Sequence, residues 1–310
     1  MVIEPPLVCA PAAWLAARLC GARAWLHVQD LEVDAAFDLG VLRKQWLRKL
    51  VLALERGLMS RFDRVTSISH RMMARLRDKG VTDYQLGFFP NWVDTDLIRP
   101  VRGNNALRTA LGVTDDLPIL LYSGNMGEKQ GLEVIVEVAR TFAESGENAL
   151  FVMCGDGAAR RRIEDAAAGL TNVRFMPLQP LEKLNELLNL ADIHLLPQRA
   201  GAEGLVMPSK LTAIMASGKP VVAGAHTDSD VGRAAAAGGI VVPPGDAGAF
   251  SASIRQLLGD SAMRDRLGSA AREYAVANWE RRAVLPRAME DLVLLPGRRP
   301  HANRGTSPQS

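Results

Sequence analysis

Cysteine, aromatic residues and long apolar runs are all scarce in this 310-residue chain. Its three cysteines, Cys9, Cys20 and Cys154, are far apart and odd in number. That excludes a disulfide framework and offers no zinc-ligand spacing; a reducing cytoplasm suits them. Aromatic residues make up only 5% of the chain, net charge is a mild +3, and no motif that reads DNA or RNA appears. Nucleic acid is therefore not an expected partner. No run of about 20 uninterrupted apolar residues occurs, so no membrane-spanning helix is expected. The apolar start is interrupted by Glu4, Pro5 and Pro6 and lacks a basic leader, which argues against a secretory signal.

Apolar residues are plentiful, at 48% against 23% charged, enough for one very large domain or two ordinary ones. Short apolar runs alternate with helical patterns, the signature of parallel sheets covered by helices. Strands are expected at residues 24–28, 64–68, 118–122, 149–154, 173–175, 193–196, 221–223 and 239–242, with helices such as 132–143 and 181–190 between them. The stretch "FFPNWVDTDLIRPVRGNN" breaks this rhythm with prolines and turn residues. It divides the chain into residues 1–100, with only two or three strands, and residues 101–285, with a full alternating set; residues 286–310 form a disordered tail.

Three stretches carry chemistry. In "LLYSGNMGEKQGLEVIVEVAR" a strand runs into a turn with Gly124, Gly127 and Gly131, beside Lys129. Such a turn is either a tight connection or a place where backbone N–H groups approach an anion. "FVMCGDGAARRRIEDAA" repeats the pattern with Gly155 and Gly157, before three arginines that cannot share one helix face. "GLVMPSKLTAIMASGK" opens a helix at Pro208-Ser209-Lys210. Proline and serine suit a helix start, but a lysine there is disfavoured unless something negative lies beside it. Three such sites at strand ends favour a bound diphosphate over solvated side chains.

"LHVQDLEVDAAFDLGVL", "PNWVDTDLIRP", "YSGNMGEKQGLE", "VMCGDGAARRRIE" and "PSKLTAIMASGKPVV" occur in this order. Together they resemble bacterial family-4 glycosyltransferases of the GT-B fold, nearest to the colanic acid biosynthesis fucosyltransferase branch, over about residues 1–285. The resemblance implies an α/β fold of two doubly wound Rossmann-like domains facing a cleft, the N-terminal, acceptor-side one incomplete. It implies transfer with retention from a nucleotide-diphosphate sugar, GDP-fucose being a candidate, to a lipid-linked saccharide in exopolysaccharide assembly. Neither a metal nor another cofactor is expected.

The donor-side residues it implies are Gly124, Asn125, Lys129, Gly155, Gly157, Gly204, Ser209 and Lys210, with Glu203 as a catalytic candidate. His27 and Asp30, after a strand of the first domain, are acceptor-side catalytic candidates, although a lone histidine there more often serves as a structural hydrogen-bonder. Ala213 stands where many relatives carry a second glutamate, and Asn125 and Gln130 where they carry cations. Relatives also begin with about a hundred residues ahead of "IEPPL", so the chain reads as shortened at its amino end. A nucleotide-sugar-binding remnant without catalysis is therefore an alternative, and a sugar-nucleotide epimerase a further one. Residues 41–61 form a basic amphipathic helix in which Trp46, Leu50, Leu54 and Leu58 recur at i+4. That stripe faces either a core or the inner surface of the cytoplasmic membrane.

Overall fold

Ile119–Ser123 and Leu150–Cys154 lack the alternation of a half-exposed strand, and every residue in both is buried. Such runs belong in the middle of a parallel sheet covered on both faces. The computed structural model, which describes residues 1–3, 9–30, 45–101, 103, 105–114, 116–199 and 209–293, pairs them side by side, Ile119 opposite Leu150 and Ser123 opposite Cys154.

The first sheet runs β1-β2-β3-β4, comprising Val2–Ile3, Trp25–Val28, Arg64–Ser67 and Leu86–Phe88. The second runs β10-β9-β8-β5-β6-β7. Its strands in chain order are β5 Ile119–Ser123, β6 Leu150–Cys154, β7 Val173–Met176, β8 Ile193–Leu196, β9 Val221–Gly224 and β10 Gly239–Val242. All pairings are parallel. In the second sheet the chain works outward from β5 to β7, then returns to start β8 on the other side of β5. This reversal makes a doubly wound sheet, with a crevice at the carboxyl ends of β5 and β8 where ligands of such folds bind.

Helix Glu133–Glu144 follows β5 and buries Val134, Ile135, Val138, Ala139 and Phe142 on one stripe. Phe142 meets Phe151 of β6 edge to face, with ring centroids 5.5 Å apart. Burying one such ring stabilises by about 2–3 kcal/mol, so this helix holds the turn before it firmly against the sheet.

Two expectations need correction. The first sheet has four strands rather than two or three, because Val2–Ile3 and Leu86–Phe88 are too short to show a pattern and are defined by their neighbours. Residues 286–293 also belong to a helix, Arg281–Val293, rather than to a tail. Its Val284 and Ala288 pack on Trp25 and Phe89, and Arg64 pairs with Asp291 at 2.5 Å. Residues 294–310 lie outside the described residues.

Of the amphipathic helix, Gln45–Met59 is described. Its i+4 stripe does not face the core: Trp46 is 64% exposed, Leu50 50% and Leu54 57%, and only Leu58 of the four is buried. Glu55 is turned inward instead and accepts a hydrogen bond from Lys79 Nζ at 2.6 Å, both side chains being almost fully buried.

Candidate active site

The turns after β5 and β6 are locked together by main-chain bonds. Gly124 N–H donates to Cys154 O at 2.9 Å, Met126 N–H to Asp156 O at 2.7 Å and Ala159 N–H to Met126 O at 2.9 Å. The approach is so close that only glycine fits. A Cβ on Gly155 would lie 1.9 Å from Gly124 O, and one on Gly157 would lie 2.5 Å from Asn125 Oδ1. Both residues also have positive φ, 146° and 151°, which L side chains rarely adopt.

The predicted glycines are thus brought together, and two more of their N–H groups are bonded within the protein. Gly155 N–H is spent on Met176 O at 3.2 Å and Gly157 N–H on Asp156 Oδ1 at 2.8 Å. Glycine spacing reports a close approach; it does not say whether the reason is a ligand or another loop.

Positive charge comes instead from Lys210, at the start of helix Lys210–Ala216. Its side chain reaches across the switch point to the β5 turn, where a Cβ on Gly124 would lie 3.6 Å from Lys210 Nζ. Nζ donates to Tyr122 Oη at 2.9 Å and to Gln130 Oε1 at 3.2 Å, and sits 4.4 Å from the centre of the Tyr122 ring. The Tyr122 hydroxyl in turn donates to Asn125 O at 2.5 Å, tying the lysine to the turn. Burial lowers the Lys210 amine to about 7 and pushes the Tyr122 phenol up.

Tyr122 was not among the expected residues, and Gln130 was expected only as the place where relatives carry a cation; both hold the Lys210 amine. A tyrosine inside a buried strand run was the available signal, since its hydroxyl needs a partner.

Ser209 precedes Lys210 but its side chain makes no cap bond, contrary to its suitability for that role. Lys129 is exposed in the short helical turn Glu128–Gln130. Glu203 and Gly204 lie outside the described residues. Of the three arginines, Arg160 bonds Gly155 O at 2.5 Å and Glu164 at 2.8 Å. Arg162 pairs with Glu128 at 2.8 Å and Glu133 at 2.7 Å, and Arg161 is exposed.

His27 and Asp30 sit at the carboxyl end of β2. His27 is only 3% exposed, its Nδ1 lies 2.9 Å from Thr66 Oγ1, and its ring is 4.8 Å from that of Phe89. Burial holds its pKa near 4, so the imidazole is neutral at pH 7. These contacts give His27 a place in the wall of the first sheet, where Trp25 Nε1 donates to the same Thr66 hydroxyl at 2.7 Å. Asp30 is half-buried.

A contact between the two units lies at these same strand ends. Asp230 Oδ2, at the start of helix Asp230–Ala236 after β9, accepts from Arg71 N–H at 3.0 Å at the start of helix His70–Asp78. A polar cavity of about 530 Å³ lined by Lys219, Arg264 and Arg272 lies at the opposite end of the second sheet, beside the start of β9, away from the switch point.

Residues 104–274 match the family of glycosyl transferases group 1, and residues 2–92 match the glycosyl transferase 4-like domain. A protein named colanic acid biosynthesis glycosyl transferase WcaI, from Escherichia coli K12, is 37% identical over 300 residues, covering 94% of this chain and 72% of that protein. Alpha-D-kanosaminyltransferase from Streptomyces kanamyceticus is 30% identical over 178 residues, covering 56% of this chain and 44% of that enzyme. Among solved structures, Anabaena HepE in complex with UDP and glucose superposes with a TM-score of 0.75 at 15% identity, covering 92% of this chain and 75% of that one. The last likeness is one of fold; the family rests on the group 1 match and on the likeness to WcaI. The chain belongs to the group 1 glycosyltransferases, and its two parallel sheets are those of the GT-B fold.

Proposed function

We propose that this glycosyltransferase binds a nucleotide-diphosphate sugar at the switch point of its second sheet, with Lys210 against the diphosphate. The sugar passes with retention to a lipid-linked saccharide in exopolysaccharide assembly of the colanic acid kind, and GDP-fucose is the first donor to test. The observation that carries this reading is the Lys210 amine, lodged between the β5 turn and the β8 crossover with only neutral groups as its described partners. As the bond to the sugar breaks, negative charge grows on the departing diphosphate. A fixed cation stabilises that charge more than it stabilises the ground state. Gly124 leaves room for the amine, while Gly155 and Gly157 let the β6 turn pack against the β5 turn. Neither a metal nor another cofactor enters this reading.

The acceptor side belongs to the first unit, with Asp30 at its strand end. Exposed Trp46, Leu50 and Leu54 beside Lys49 and Arg56 suit a shallow contact with an anionic bilayer, which would bring a lipid-linked acceptor to the cleft. No described helix is long and apolar enough to cross a membrane.

The test is acceptor-dependent release of nucleoside diphosphate from GDP-fucose or UDP-glucose in the presence of extracted lipid-linked saccharide. Product formation supports the proposal. Tight nucleotide binding with neither hydrolysis nor transfer contradicts it and favours a binding protein without catalysis.

A further inference from the structure

Lys210 presents an unusual arrangement for a cation that meets a diphosphate. Its described partners are a phenol hydroxyl, an amide oxygen and a ring face, none of them charged. The charged groups around it are committed elsewhere or point outward. On the β5 turn, Glu128 is paired with Arg162 and Lys129 is exposed. After β8, Arg199 pairs with Glu133 at 3.1 Å. On the β6 turn, Asp156 is exposed and accepts from Gly157 N–H. Lys210 is the only ionisable residue of its own helix, and β5 contributes only Tyr122. Glu203, on the preceding segment, lies outside the described residues.

An amine so enclosed, with no described counter-charge, holds its proton weakly until an anion arrives. We infer that donor capture by this enzyme is coupled to proton uptake: Tyr122 and Gln130 hold Lys210 without a described counter-charge, and above neutral pH the incoming diphosphate binds together with the proton that charges it. Gln130 is then a positioning residue. Its amide oxygen aims the amine without charging it. The inference rests on the donor site proposed above. Proton balance is simple: the empty site plus one proton from solvent plus the diphosphate gives a bound ammonium–diphosphate pair, with no bond made or broken in the donor. The lowered amine, about 7 when the site is empty, sets the window. Below that value the proton is already present, and above it the proton must be taken up at the moment of binding.

The experiment is titration calorimetry of the whole chain with UDP and with GDP at pH 8, in two buffers of different ionisation enthalpy. Both terminal phosphates are fully ionised there, so any uptake belongs to the protein. The expected uptake is at least about half a proton per site, and affinity should fall as pH rises from 7.5 to 9, approaching tenfold per pH unit. Lys210→Arg, permanently charged, should bind with uptake near zero and a flat pH profile. Gln130→Glu, which places a carboxylate beside the amine, should likewise abolish most of the uptake even if it weakens binding. Wild-type uptake near zero, as a counter-ion such as Glu203 would produce, overturns the coupling while leaving the donor site standing, provided Lys210→Ala weakens UDP or GDP. If Lys210→Ala leaves both affinities unchanged, the donor reading falls and the coupling with it.

Discussion

Gly155 and Lys210 meet the β5 turn in opposite ways. Gly155 is needed for its missing side chain, because its Cα faces a carbonyl oxygen at a distance no Cβ tolerates. Gly155→Ala should therefore cost about 3 kcal/mol through strain and collision, lowering the thermal midpoint by several degrees. Gly146 has a positive φ of 71° but open space around it, so Gly146→Ala should cost only about 1 kcal/mol. Equal losses for the two would show that φ alone, and not the meeting of the β5 and β6 turns, sets the requirement. Legible at this scale was that Gly124, Gly155, Gly157 and Lys210 lie at neighbouring strand ends, which the fold brings together. The destination of the glycine N–H groups was not, because sequence spacing cannot tell a ligand oxygen from a neighbouring carbonyl. The roles of Tyr122 and Gln130 were hidden for the same reason, since both depend on a lysine 88 and 80 positions away.

Helix Gln45–Met59 shows that periodicity can be right while its orientation stays open. The i+4 stripe of Trp46, Leu50 and Leu54 is real, yet it faces outward, and the inward positions include Glu55. A carboxylate is buried there with Lys79 Nζ 2.6 Å away, a long-range partner that no local pattern announces. If the outward stripe serves a bilayer, the protein should sediment with phosphatidylglycerol vesicles and much less with phosphatidylcholine ones. The double substitution Trp46→Glu with Leu50→Glu should weaken that binding at least tenfold while leaving the circular dichroism spectrum unchanged. Equal sedimentation with both lipids, or none lost in the double variant, would remove the helix from the acceptor's route.

Across the whole molecule, both sheets turn their carboxyl ends to one region, and Asp230 and Arg71 join the two units there. The long strands of the second sheet were legible because a parallel strand covered on both faces must be apolar throughout, as Leu150–Cys154 is. Val2–Ile3 and Leu86–Phe88 were not, because two or three residues cannot display a period. Nor was the return of Arg281–Val293 to Trp25 and Phe89 legible, since that contact joins the two ends of the described chain. The architecture carries the Lys210 amine to the β5 turn at the switch point, where we propose that it meets the donor diphosphate. The most direct test of that claim compares the affinities of GDP and guanosine, and of UDP and uridine, for wild type and Lys210→Ala at pH 7. A charge-assisted contact to the diphosphate predicts a loss of about 10- to 100-fold for the diphosphates and little change for the nucleosides. Equal losses for diphosphate and nucleoside, or none for either, would contradict it.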